Sequence, residues 1–139
     1  MKIVNLIIVL NPNRTKVLMC HRQKNPYIGK YNFVGGKVGA QEDHLQAAYR
    51  ELFEETGITN KDINIERLMT SQYPKDALEL QVYYGVLKHD VKLKEEVNPL
   101  LWIDFNTDFS KDEFAGDGNI QHMIKCIEFY QKDQSVHGI

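Results

Sequence analysis

The sequence predicts an α+β domain in which a mixed β-sheet is sandwiched between two helices. Three observations carry that expectation. Apolar segments with strand character recur along the chain, two segments place apolar residues at helical spacing, and the two kinds mix without regular βαβ alternation. A chain of 139 residues, 42% of them hydrophobic, buries roughly two-thirds of its unfolded surface when folded, enough for a real core. No repeat, low-complexity tract or Pro/Gly/Ser linker divides it, so residues 1–139 read as one domain.

Ile3 to Leu10 is rich in β-branched residues, Asn11 to Thr15 has turn chemistry, and Lys16 to Arg22 resumes with Val17, Leu18 and Met19; together they predict a hairpin. Residues 23 to 31 read as a loop, followed by a short strand at Asn32 to Val34, the pair Gly35-Gly36 and a second loop from Lys37 to Glu42. Helical spacing begins at Asp43, a suitable N-cap, and ends at Thr56 before Gly57, a suitable stop. Ile63 to Tyr73 and Leu78 to Leu87 alternate as strands about a turn at Pro74 to Ala77. Leu100 to Phe105, with the only tryptophan, predicts a further strand. Ile120, Met123, Ile124, Ile127 and Tyr130 form the apolar stripe of a second helix over Ile120 to Tyr130.

Nineteen acidic side chains against seventeen basic ones leave a net charge of -2, which argues against an extended nucleic-acid partner. It leaves small phosphate ligands open. The apolar run at the start is interrupted by Lys2 and Asn5 and closed by Pro12, too short for a membrane span and without a cleavage site after it. Cys20 and Cys126 are too few and too far apart for a disulfide framework or a CxxC site, so a reduced, cytoplasmic setting is expected. The five histidines are scattered without a metal-binding pattern, and no GxxxxGK[ST] loop occurs.

The chemistry concentrates between Gly36 and Ile58. At about 100° per residue, Glu51, Glu54 and Glu55 share one edge of the first helix, with Leu45, Tyr49, Leu52 and Phe53 predicted as a core face nearly opposite. A solvated acidic face would carry Lys or Arg three or four places from each glutamate. Here only Glu54 has such a partner, Arg50, which favours a cation supplied from outside. Hard oxygen donors of this kind suit Mg²⁺, with Mn²⁺ as a substitute. Ala47 and Ala48 flank the acids and are small enough to let metal and phosphate approach. Gly35-Gly36, directly before this helix, permits close backbone approach.

The residues follow the order Gly, five residues, Glu, seven residues, Arg-Glu, an aliphatic, any residue, Glu-Glu, any residue, Gly, an aliphatic. Gly36, Glu42, Arg50, Glu51, Leu52, Glu54, Glu55, Gly57 and Ile58 occupy its fixed places. This resembles the Nudix box, and the flanking strands and last helix fall where the Nudix fold would place them. The resemblance implies hydrolysis of a nucleoside diphosphate linked to another group. It implies that Glu51, Glu54 and Glu55, with the Gly36 carbonyl, hold Mg²⁺, that Arg50 orients the glutamates, and that Glu42 pairs with Arg50. One glutamate would act as general base. Glu96, of the pair Glu95-Glu96, matches a place where some relatives add a metal-binding or basic glutamate; the alternative is a solvated loop pair beside Lys92 and Lys94.

Outside the box, Lys30 to Val38 resembles the MutT-type subgroup, including its members that act on oxidised purine nucleotides. That resemblance makes Asn32 a reader of the base, or else merely the start of a strand. Phe114 would stack on the base and Asp117 would bond it; the alternatives are a core residue and turn chemistry. Gly116 stands where that subgroup has a second acid, which weakens selectivity for oxidised purines. Arg22, Lys30 and Lys37 are candidate phosphate contacts or plain surface charge. The expected activity is Mg²⁺-dependent cleavage of a nucleoside triphosphate, a modified purine nucleotide such as 8-oxo-dGTP among the options, to the monophosphate and pyrophosphate. The expected partner is that small nucleotide, with no membrane, in a monomer or homodimer. Removal of pyrophosphate from RNA 5′ ends and non-catalytic nucleotide sensing are the competing expectations.

Overall fold

In the strands β1 (Lys2–Leu10) and β2 (Lys16–His21), Ile7 to Leu10 and Val17 to Cys20 are apolar and buried without a break. Both faces of the sheet are covered, so alternate residues enter two different cores. Ile8, Leu10, Val17 and Met19 meet Ile120, Met123, Ile124 and Ile127 of one helix. Ile7, Val9, Leu18 and Cys20 meet Ala48 and Leu52 of the other. Each fully buried Ile or Leu contributes about 1.5–3 kcal/mol through burial alone.

This computed structural model describes residues 1–116 and 118–137, with only the backbone of 132–137. Its remaining elements are β3 (Tyr31–Asn32), α1 (His44–Thr56), β4 (Ile63–Tyr73), β5 (Leu78–Leu87), β6 (Leu100–Asp104) and α2 (Asn119–His137). The sheet is mixed, with α1 on one side and α2 on the other, an α+β fold. β1 runs parallel to β5 from Lys2↔Leu78 to Leu10↔Val86, and β4 is antiparallel to β5. β2 pairs antiparallel with β6 and, at Cys20 and His21, with β3. Among the described residues, no helix is long and apolar enough to cross a membrane.

The predicted hairpin of β1 and β2 is corrected in one respect that matters for the site. The two strands are register partners only at Leu10↔Val17, beside a turn in which Asn11 Oδ1 accepts the Thr15 and Lys16 N–H groups. Beyond that point they splay, and residues 31–38 enter the gap. Tyr31 and Asn32 pair with β2, while Val34 and Lys37 bridge to Ile7 and Val4 of β1. The Ile7 N–H donates to the Val34 carbonyl and the Asn5 N–H to the Gly36 carbonyl, both at 2.8 Å. Gly35 and Gly36 are therefore held against the sheet.

α1 starts at Asp43, whose Oδ1 accepts the Gln46 N–H at 3.0 Å, a cap worth about 1 kcal/mol. It stops at Gly57, whose φ of 79° suits glycine and whose N–H returns to the Phe53 carbonyl. Its predicted core face holds at Leu52 and at Tyr49, which packs against the same cluster, and is corrected at Leu45 and Phe53. Ala47, Ala48, Leu52 and Thr56 are the buried residues, whereas Phe53 is 57% exposed and Leu45 39% exposed. Glu51 and Glu55 thus turn inward beside Leu52, while Glu54 stays exposed. Ala47 and Ala48 do not border an approach path for ligand; both are 0% exposed and let the helix sit close to the sheet.

Candidate active site

Close packing of α1 brings its acids onto the glycine pair. A Cβ on Gly36 would overlap the Glu51 carboxyl, and one on Gly35 would overlap the Asn5 backbone carbonyl. At Gly35 the obstacle is backbone and no larger residue fits; at Gly36 a larger residue would have to push the Glu51 carboxyl aside. Glu55 reaches the same segment, its Oε2 accepting the Gly35 N–H at 2.9 Å.

Arg50 organises the other acids. Its Nε donates to Glu42 Oε2 at 2.6 Å and its Nη2 to Glu42 Oε1 at 2.9 Å, a bidentate pair. Nη1 donates to Glu51 Oε1 at 3.0 Å and to Glu54 Oε2 at 3.1 Å, and Nη2 also reaches the Lys37 carbonyl at 3.1 Å. The cluster is consequently less short of local cations than helical spacing suggests, because an arginine next in sequence to Glu51 also bonds it.

The carboxyl groups divide by environment. Arg50 and the Gly39 N–H hold Glu42 down, to about 2. Burial raises Glu51 despite its hydrogen bond to Arg50. Burial also lifts Glu55, to about 7, with Glu51 adding to the rise and the Gly35 N–H opposing it. Arg22 lies close enough to favour the charged form of Glu55.

Glu55 lines a small pocket with Cys20, Val34, Glu96, Val97, Asn98 and Leu100, so the loop glutamate Glu96 shares a space with the helix. Its neighbour Glu95 is engaged elsewhere, its Oε2 accepting the Leu100 N–H at the start of β6, at 2.6 Å. Burial pushes the Cys20 thiol up to about 11, which keeps it a protonated, inert packing group.

The residues expected to touch substrate are less concentrated. Lys37 is exposed next to the glycine pair, with its carbonyl on Arg50. Arg22 is half-buried, and its Nε donates to the Pro26 carbonyl. Lys30 pairs with Asp112 at 3.2 Å. Asn32 lies in β3, where its Oδ1 accepts the Phe33 N–H. Phe114 is corrected from a base-stacking residue to a core residue, because it is 3% exposed and its ring is enclosed edge-on by Phe109 and flanked by Tyr31. Asp117 lies outside the described residues.

Sequence reasoning missed Asn5. It is 1% exposed, its Oδ1 accepts the Gly36 N–H at 2.9 Å, and its Nδ2 has no partner among the described residues. The available signal was a polar residue inside an apolar strand.

Among the described residues, no three His, Cys, Asp or Glu side chains converge as metal ligands in this arrangement. The donor set nevertheless fits a divalent cation. Glu51, Glu54 and Glu55 offer hard carboxylate oxygens, the bare Cα of Gly36 keeps its carbonyl close to Glu51, and that carbonyl retains a second lone pair beyond the one used by Asn5.

A β-sheet between two helices, with glutamates of one helix packed on a glycine pair held by the sheet, defines the class. Residues 1–114 match the NUDIX domain family model, and the chain belongs to this family. Its sequence is 43% identical over 58 residues to the oxidized purine nucleoside triphosphate hydrolase of Danio rerio, a stretch covering 42% of this chain and 36% of that relative. A MutT protein from Methanosarcina mazei superposes with a TM-score of 0.72 at 18% identity, covering 94% of this chain and 95% of its own. An Ap4A hydrolase from C. elegans gives 0.75 at 15% identity, covering 94% and 98%. At such identities the structural matches establish the shared fold.

Proposed function

We propose that this chain is a divalent-metal-dependent pyrophosphohydrolase that cleaves a nucleoside triphosphate to the monophosphate and pyrophosphate. The observation that carries the reading is the gathering of Glu42, Glu51 and Glu54 on Arg50, with Glu51 and Glu55 against Gly36 and Gly35. The matched stretch of the Danio rerio relative supports a purine nucleotide as substrate, an oxidised one included.

Glu51, Glu54, Glu55 and the Gly36 carbonyl would hold Mg²⁺ or Mn²⁺, with Glu96 at hand beside Glu55. Bound there, the ion would neutralise and orient the diphosphate and make a bound water acidic enough to attack phosphorus. Arg50 keeps Glu51 and Glu54 on one side of the helix, and Glu42 in turn fixes Arg50. A glutamate of the box would take the proton of the attacking water. Lys37 and Arg22 supply positive charge toward the phosphates, and Asn32 offers an amide that can both donate to and accept from a purine edge.

The test is a panel of nucleoside triphosphates, oxidised purine nucleotides, nucleotide sugars, dinucleoside polyphosphates and triphosphorylated RNA, assayed with Mg²⁺ and with products identified. The expected outcome is monophosphate and pyrophosphate from a free nucleoside triphosphate. Release confined to RNA, or tight nucleotide binding with no turnover anywhere on the panel, would refute the reading.

A further inference from the structure

The apolar run of β1 keeps one buried amide. Isoleucine or valine there would fill the space without a polar cost, whereas a buried N–H group left unpaired is destabilising. Asn5 carries such a cost, since Nδ2 has no partner among the described residues and the side chain is 1% exposed. What the residue obtains in exchange is a two-sided hold on Gly36. Its backbone N–H donates to the Gly36 carbonyl at 2.8 Å, and its Oδ1 accepts the Gly36 N–H at 2.9 Å. These are the peptide groups on either side of the Gly36 Cα. Holding both fixes the φ and ψ of the one residue whose flexibility would otherwise let its carbonyl swing. The Asn5 carbonyl also fills the place of a Gly35 Cβ, so the same residue sets how closely the glycine pair can approach β1.

We propose that Asn5 is a positioning residue for cation binding, holding the Gly36 carbonyl in register with the carboxyl of Glu51. This inference rests on the cation site proposed above. An apolar residue at position 5 keeps the backbone bond to the Gly36 carbonyl but frees the Gly36 N–H, so Gly36 regains a degree of freedom. Removing a group that orients a ligand typically weakens metal affinity 10–100-fold.

The experiment measures Mn²⁺ affinity of the full chain, without substrate, from the electron paramagnetic resonance signal of free Mn²⁺. Asn5→Leu is expected to weaken binding at least tenfold. Asn5→Thr, which keeps an oxygen acceptor, is expected to recover part of that loss. Melting temperatures of the metal-free variants separate positioning from stability, because a merely structural role would lower them and leave the affinity of the folded protein unchanged. In the unaltered chain, the Asn5 backbone amide resonance is expected to move as Mg²⁺ is added, a reading that holds even if both variants fail to fold. Wild-type affinity in Asn5→Leu, an equal loss in Asn5→Thr, or an immobile Asn5 resonance in a chain that binds Mn²⁺ would overturn the inference. A wild-type chain that takes up no Mn²⁺ would instead overturn the cation site on which it rests.

Discussion

The Cα of Gly36 lies so close to the Glu51 carboxyl that a methyl group added to it would overlap the carboxyl carbon and both oxygens. Gly36→Ala must therefore push the Glu51 carboxyl, the far end of a flexible side chain, out of its place beside the glycine. We expect little loss of stability in urea unfolding but a clear loss of turnover, because the displaced carboxyl is one of those proposed to hold the cation. Unchanged turnover would show that the contact is slack.

Arg50 uses all three guanidinium nitrogens on Glu42, Glu51, Glu54 and the Lys37 carbonyl. Lysine keeps the charge but cannot reproduce the bidentate pair and the further bonds together. Arg50→Lys is thus expected to reduce turnover at least tenfold while the far-ultraviolet circular dichroism stays native. Steady-state kinetics with saturating Mg²⁺ check this, and a wild-type kcat in Arg50→Lys would contradict the role given to the fork.

Glu55 supplies a pH signature in the metal-free chain. Its folded value, about 7, lies above the ordinary 4.5, so the protonated form is the one the fold favours. Its stabilising contribution is full below pH 4.5 and is lost as pH rises through about 7. Glu42 has the opposite sign: held at about 2, it stabilises above pH 4.5 and loses its contribution as pH falls toward 2. Between pH 5 and 8 the Glu55 effect is isolated from that of Glu42. Thermal unfolding with chelator present should show stability declining across this range, and Glu55→Gln should make the decline shallower, leaving the part due to Glu51, which burial raises as well. A Glu55→Gln profile with the wild-type slope would rule out this assignment.

The orientation of α1, with Ala48 rather than Phe53 inward, can be tested by packing alone. Phe53 is largely exposed and Ala48 fully buried. Phe53→Ser should change stability by less than about 0.5 kcal/mol. Ala48→Leu should cost about 1–3 kcal/mol or more, since the extra carbons have no space under the helix. Denaturant melts of the two variants distinguish this orientation from one in which Phe53 faces the core, which would reverse the order.

Where chain-local chemistry decides structure, the sequence is readable. Asp43 and Gly57 bound α1, Pro74 to Ala77 separates β4 from β5, and the box spacing marks the acids without any knowledge of contacts. Local pattern misleads where a long-range partner decides. The turn at Asn11 to Thr15 between β1 and β2 reads as a full hairpin, yet β1 pairs along its length with β5, and this pairing is invisible in local pattern. A helical wheel ranks Phe53 above Ala48 by hydrophobicity, but close approach to a glycine segment selects small residues for the inner face. Asn5 reads as an interruption of a strand because its partner, Gly36, lies 31 residues away. Phe114 resembles a base-stacking residue by its place in the chain, while its enclosure by Phe109 depends on how the segment before α2 folds back.

The central claim is that the carboxylates of α1 make the chain a metal-dependent pyrophosphohydrolase. Its most direct test is turnover of the best nucleotide substrate by Glu55→Gln with saturating Mg²⁺, on protein shown to be folded. The account predicts a fall in kcat of roughly 10²-fold or more, because the variant loses a carboxylate proposed to hold the cation. A kcat within a few-fold of wild type would contradict it.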